Sequence, residues 1–318
     1  MISIRERVEY YLTQRQALGT GLSIGVVKIL LTFATFVENQ GAQHITADLF
    51  LLWKKQYGSA NQDSWAIRYS HVRVFTLWLH VLDPKSDVLP EGLISRNRSR
   101  PRPYIYSQQE IVKIIDVALQ LRSPSGCGLR GPSHATLYGL IAVTGLRISE
   151  ALHLTDDDVD IQHGTLRVCH AKNHVKRVIP IAPCSVKQLA SYRELRERAV
   201  VQRDPTFFLG ESGLKISYKT VYRTFVQCCV SIGLRDKQHV SKYGKGASIH
   251  DLRHSFAVRT LIDWHRKGLD VDREIYKLSN WLGHRSPKET YWYLEAVPEL
   301  LQITLEKVEQ AHKQWRLS

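Results

Sequence analysis

Residues 248–297 read SIHDLRHSFAVRTLIDWHRKGLDVDREIYKLSNWLGHRSPKETYWYLEAV. Ser248 followed by Asp251 is a Ser-x-x-Asp helix start, and it places His250 and Arg253 on one face of that helix. Leu282-Gly283-His284 ends a second apolar-periodic run. Ser286 and Pro287 then supply N-cap and N1, with Glu289 at the capping-box position, so Tyr293 falls about two turns into a third helix. Tyr291 is about 200° round that helix, and the two hydroxyls cannot face one site. Upstream, residues 144–150 read TGLRISE: Thr144-Gly145 breaks a helix, and a new turn presents Arg147 with Glu150 three residues on to hold its guanidinium. Two arginines, two histidines and a phenol suit one task, holding a phosphate while an oxygen nucleophile attacks it.

Working outward, the spacing predicts a chain that is mainly α with a small β-sheet. Ser107 and Glu110 form a capping box ahead of Ile111, Ile114, Ile115, Ala118 and Leu119 at helical spacing. Residues 123–133, rich in Gly, Pro and Ser, read as a loop before a helix over 135–143. The aspartate run Asp156, Asp157, Asp158 reads as a turn rather than a cation site. GTLRVCH (164–170) and VKRVIPIAP (175–183) have the alternating, β-branched character of a hairpin, with Lys172 projecting from its turn. Residues 185–200 and 218–232 read as helices, separated by an apolar strand-and-turn segment, PTFFLGESG. The loop that follows carries Lys242 and Lys245 as candidate phosphate contacts. A last amphipathic helix is expected over 299–313.

Residues 1–95 read as a self-contained helical bundle. Ile24, Val27, Leu30, Leu31, Ala34 and Val37 recur at helical spacing up to Gly41, Thr46 caps a helix over 47–57, and a third helix covers 65–81. Between the bundle and the second domain, residues 96–106 hold Arg96, Arg98, Arg100 and Arg102 among prolines. Proline and alternating arginine favour an extended path that can follow a phosphate backbone, so this stretch reads as a basic inter-domain linker.

With 318 residues, 43% of them hydrophobic, the chain can bury two cores. Its formal charge of +14 favours a polyanionic partner. No apolar run approaches the roughly 20 residues needed to span a bilayer, and the first residues lack the apolar core of a signal peptide. The cysteines Cys127, Cys169, Cys184, Cys228 and Cys229 are odd in number and show no C-x-x-C spacing. They point to reduced thiols in the cytoplasm rather than a disulfide framework or zinc centre. His250-Asp251-Leu252-Arg253-His254 mimics the His-Glu-x-x-His zinc motif, but the shorter acid and the intervening arginine favour phosphate over metal. His254 then reads as a structural or supporting residue, and Tyr291 and Trp292 as core aromatics.

Taken together, these blocks resemble the tyrosine recombinase (phage integrase) family, in particular its transposon-borne members. The resemblance covers most of residues 105–297. It rests on Arg147 in a Thr-Gly-Leu-Arg-x-x-Glu block, the hairpin lysine Lys172, His250-x-x-Arg253, Leu282-Gly283-His284, and Tyr293 nine residues after that histidine. It implies an N-terminal helical core-binding (SAM-like) domain over 1–95 and a C-terminal α+β catalytic domain over 107–318. The implied activity is site-specific recombination of double-stranded DNA through a 3′-phosphotyrosyl intermediate, for integration or excision of a mobile element, without cofactor or metal. Tyr293 would be the nucleophile, Arg147 and Arg253 the phosphate ligands, and His284 a phosphate hydrogen-bond donor. His250 would act on the tyrosine proton and Lys172 would protonate the leaving 5′-oxygen. Here Ala171-Lys172-Asn173 stands where many relatives have Gly-Lys-Gly, which leaves Lys176 as an alternative acid. The implied assembly is a homo- or hetero-tetramer on DNA, with or without sister recombinases; the terminal helix over 299–313 is free either to dock onto a neighbour, the favoured reading, or to cover its own core. The competing functions are a non-catalytic DNA-binding regulator of the same fold and a type IB topoisomerase-like activity.

Overall fold

Ile24–Asn39 forms a helix (α2) because Leu30, Phe33, Ala34 and Val37 lie on one stripe and are all buried. In the computed structural model, which describes residues 2–95, 102–169, 176–236, 246–296, 302 and 305, this helix centres the first of two compact units, Met1–Arg100 and Pro101–Ser318. The candidates Arg96, Arg98, Arg100, Lys172, Lys242 and Lys245 lie outside the described residues, as does the helix expected over 299–313 apart from positions 302 and 305. Arg102 is described and exposed.

In the first unit α2 packs with α1 (Ile4–Ala17), α3 (Ala47–Gln56) and α4 (Gln62–Leu82) around Phe33, Phe50, Trp53, Trp65 and Phe75. Thr46 caps α3 through Leu49 N at 3.2 Å. The sequence pattern does not announce α1, whose buried stripe is only Ile4, Val8 and Tyr11. A Ser3–Glu6 capping box starts it, and Arg7 ties it to Asp83 at the end of α4, with Nη1 to Oδ2 at 2.6 Å.

The second unit is mainly helical with a small sheet. Helix α5 (Gln108–Leu119) begins at the Ser107–Glu110 capping box and pairs with α6 (Arg130–Thr144). Helix α6 starts five residues earlier than the composition suggests, because Pro132 falls in its first turn, where no backbone donor is lost. A short turn, α7 (Ile148–Ala151), leads through a 3₁₀ turn at Asp156–Asp158 into an antiparallel sheet β1 (Val159–Asp160), β2 (Thr165–Val168), β3 (Arg177–Pro180). The hairpin register pairs Leu166 with Ile179 and Val168 with Arg177; β1 is an added edge strand. The aspartate run is a structural turn, since Asp156 accepts two bonds from the buried Arg196 at 2.8 and 2.9 Å.

Helices α8 (Pro183–Ala199), α9 (Tyr218–Ser231), α10 (Ile249–Arg266), α11 (Val271–Leu282) and α12 (Lys288–Ala296) complete the described residues of this unit. Ser286 Oγ accepts from Lys288 N at 3.3 Å, so α12 opens one residue later than the Pro287 pattern predicts. The 205–213 segment buries Phe207, Phe208 and Leu209 and makes single bridges, Thr155 to Thr206 and Leu209 to Lys215. All five cysteines are free thiols. Among the described residues no helix is long and apolar enough to cross a membrane.

Helix α6 stops at Gly145, which is left-handed at φ 66°. A Cβ there would lie 2.5 Å from Phe256 Cδ1 and 2.9 Å from Leu282 Cδ2. Left-handed backbone costs a non-glycine residue about 1–2 kcal/mol, and overpacking about 1–3 kcal/mol. Gly145→Ala is therefore expected to lower stability by about 2–5 kcal/mol, seen as a fall in denaturant midpoint at unchanged m-value.

Candidate active site

The site is built on the C-terminus of α11. Gly283 at φ 65° ends that helix in a Schellman motif: His284 N donates to Ser279 O and Gly283 N to Asn280 O, each at 3.0 Å. A helix end leaves its last carbonyls without helical partners and carries partial negative charge. Three arginines take up those carbonyls. Arg177 Nε donates to Trp281 O at 2.7 Å. Arg253 Nη2 donates to Leu282 O at 2.7 Å, and Arg147 Nη1 reaches the same oxygen at 3.3 Å. Arg147 Nη2 donates to Gly283 O at 3.2 Å.

The end of α6 faces this turn. Arg253 Nη1 donates to Gly145 O at 2.7 Å, and Trp281 Nε1 to Thr144 O at 2.8 Å. Two helix C-termini, each stopped by a left-handed glycine, thus meet around the Arg253 guanidinium. Burial first, and then the neighbouring charge of Arg147, bring Arg253 down to about 10, while Tyr293 and Glu150 act the other way. It stays protonated at neutral pH, in a setting where an incoming anion would relieve both penalties.

Glu150 organises the other two guanidiniums. Its Oε2 accepts from Arg147 N at 2.9 Å and Arg177 Nη2 at 2.8 Å; its Oε1 accepts from Arg147 Nη1 at 2.9 Å and Arg177 Nη1 at 3.2 Å. Three guanidiniums against one carboxylate leave this cluster electropositive. Arg177 was not anticipated. Its signal was legible: it stands two positions before the buried Ile179, so an arginine occupies the inward-facing register of an apolar strand. The absence of a side chain at Gly283 admits it, since a Cβ there would lie 2.7 Å from Arg177 Nη1.

Burial raises the Glu150 carboxyl, but hydrogen bonds and charge from Arg177, then Arg147, outweigh it and hold the group below its ordinary value of 4.5. A depressed folded-state value adds stability that is full above the unfolded value and is lost as pH falls through the folded one. Glu150→Gln is expected to lose about 3–5 kcal/mol at neutral pH. Its stability should then fall less steeply than the wild type's below the ordinary glutamate range. Denaturant titrations across acidic pH check both.

The histidines and tyrosines complete the site. Tyr293 on α12 is 2% exposed and belongs to the buried cluster that holds Ala257, Val258 and Leu261 of α10. Its hydroxyl lies 2.8 Å from His254 Nδ1. His284 lies nearly parallel to the Tyr293 ring, centroids 6.5 Å apart at 18°, and its Nδ1 is 2.7 Å from Thr290 Oγ1. His250 is exposed, its ring 4.6 Å from that of His254 in a T-shaped arrangement. The sequence reading gave the phenol's proton to His250 and a supporting part to His254. The hydrogen bond to Tyr293 is made by His254, one turn deeper on α10. Tyr291 points elsewhere and donates to Asp272 Oδ1 at 3.1 Å. Lys176, the alternative hairpin lysine, is exposed just ahead of β3.

The sequence and the fold both have counterparts among known proteins. The model of the phage integrase family matches residues 107–299. A Sinorhizobium fredii protein named as a candidate integrase/recombinase, y4rB, is 32% identical over 313 residues, covering 98% of this chain and 98% of its own. Tyrosine recombinase XerA of Pyrococcus horikoshii is 28% identical, covering 88% of this chain and 93% of its own. The integrase of transposon Tn1549, solved with transposon right end DNA, shares the fold at TM-score 0.65 and 14% identity over 96% of this chain and 99% of that one. Given the breadth of the family match and a full-length relative of that identity, this chain belongs to the phage integrase family and is a tyrosine recombinase.

Proposed function

We propose that the chain is a site-specific recombinase that cuts and rejoins double-stranded DNA of a mobile element through a 3′-phosphotyrosyl intermediate. The observation that carries this is the meeting of Arg147 and Arg253 on the single carbonyl of Leu282, with the Tyr293 phenol 2.8 Å from Nδ1 of His254, the residue after Arg253 on α10. A guanidinium has five N–H donors. The backbone carbonyls fix each fork while the remaining donors serve the non-bridging oxygens of a scissile phosphate. Tyr293 Oη attacks phosphorus, and the bond to O5′ breaks. The electropositive cluster stabilises the charge gained in the transition state, and His284 adds a hydrogen bond to the phosphate. His250 takes part in moving the phenol proton, and Lys172, or Lys176, protonates the leaving oxygen. Because the phosphotyrosyl bond keeps the energy of the phosphodiester, a second 5′-hydroxyl can reverse the step without ATP.

The mobile-element role draws on the integrase named for Tn1549 and on y4rB. The charge of +14 suits DNA, and joining two duplexes calls for several protomers, a homo- or hetero-tetramer with or without sister recombinases, working at the nucleoid in the cytoplasm. A pool of nicked duplexes, randomised on both sides of the nick, tests the reading. The wild-type protein should capture a defined sequence as a denaturation-resistant adduct on the 3′ side. Retention of DNA with no adduct would instead indicate a regulator. Relaxation of supercoiled plasmid without recombination would indicate a topoisomerase-like enzyme.

A further inference from the structure

We propose that His254 is the general base that takes the Tyr293 proton, with His250 passing it to solvent; this rests on the phosphotyrosyl reading above. A phenol only 2% exposed cannot hand its proton directly to bulk water. It needs an acceptor inside the site. The arginines are already protonated, and the Glu150 oxygens are shared between Arg147 and Arg177. His284 must keep an N–H for the phosphate while its Nδ1 faces Thr290 Oγ1.

His254 Nδ1 lies 2.8 Å from the phenol oxygen, within the range of direct proton transfer. With its own proton on Nε2, the ring accepts at Nδ1, and imidazole is the side chain whose ordinary proton affinity suits a base near neutral pH. Trp292 lies against both rings, 5.8 Å from His254 and 5.3 Å from Tyr293 between centroids, and both members of the pair are buried. His250 borders His254 at 4.6 Å and is exposed, so it gives the proton a route outward.

The step balances. The Tyr293 O–H proton moves to His254 Nδ1, the Oη–P bond forms as P–O5′ breaks, and O5′ takes a proton from the hairpin lysine. On rejoining, the 5′-hydroxyl returns its proton to the lysine, and His254, reprotonated from solvent through His250, gives one back to Tyr293.

The test uses the full chain and the nicked duplex recovered by selection. His254→Asn can place an amide oxygen near the position of Nδ1, preserving the hydrogen bond but removing the base; His254→Ala removes both. Each should form the adduct about 10²–10⁴-fold more slowly than wild type, with unchanged affinity for the duplex. Replacing Tyr293 by 3,5-difluorotyrosine, a much stronger acid, should restore at least ~10-fold in His254→Asn and change the wild type by less than ~3-fold, because an acidic phenol depends less on its base. Wild-type cleavage by His254→Asn, or no recovery with the fluorinated phenol, overturns the proposal. Should His254→Ala fail to fold, the Asn variant carries the test. An adduct that survives Tyr293→Phe would remove the phosphotyrosyl reading itself, a failure distinct from that of His254.

Discussion

Tyr293→Phe is expected to form no covalent adduct with nicked duplex DNA, whereas Tyr291→Phe forms it at the wild-type rate. The two phenols are two residues apart on α12, yet the helix turns them to different surroundings. Tyr293 is enclosed beside His254 and His284, while Tyr291 donates to Asp272 on the partly exposed side of the helix. Removing a nucleophile leaves only binding and electrostatic assistance, so the loss should be at least roughly 10⁴-fold. Tyr293→Phe also deprives the buried His254 Nδ1 of its partner, and stability should fall by about 1–3 kcal/mol. Denaturing electrophoresis of the DNA-bound protein reads the first effect and thermal unfolding the second. An adduct that disappears with Tyr291→Phe and persists with Tyr293→Phe would reverse the assignment.

Arg253→Lys should slow adduct formation by about 10²–10³-fold even though the charge is kept. The guanidinium bridges Gly145 O and Leu282 O, both at 2.7 Å, and so locks the ends of α6 and α11 together while still facing the site. An ammonium is a point charge on a flexible stem and cannot hold two carbonyls and a phosphate in one plane. The same change leaves one buried carbonyl short of its donor, a further loss of about 1–3 kcal/mol in stability. A variant cleaving at the wild-type rate would show that charge alone, not the fixed fork, supplies the transition-state stabilisation.

Much of the local frame was legible because its determinants lie within a few residues. The Ser107–Glu110 and Ser248–Asp251 boxes, the Thr46 cap and the stops at Gly145 and Gly283 each depend on nearby backbone groups. Local signals failed where composition masked them. Helix α1 shows few apolar residues, because only one narrow stripe meets the bundle. The start of α6 looks like loop because glycine, proline and serine fill its first turn, yet that turn has no helical N–H partners to lose.

By itself, the sequence determined the chemical inventory, two arginines, the histidines and one phenol in helical frames, and with it the family. Tertiary structure alone decided how those groups meet. It seated Arg177, Arg147 and Arg253 on the carbonyls of Trp281, Leu282 and Gly283, and it brought His254 rather than His250 to the phenol. The physical reason is separation along the chain. Capping and periodicity act over a turn or two, whereas a guanidinium at position 147 finds a helix end 135 residues away only through the packing of the helices that carry them.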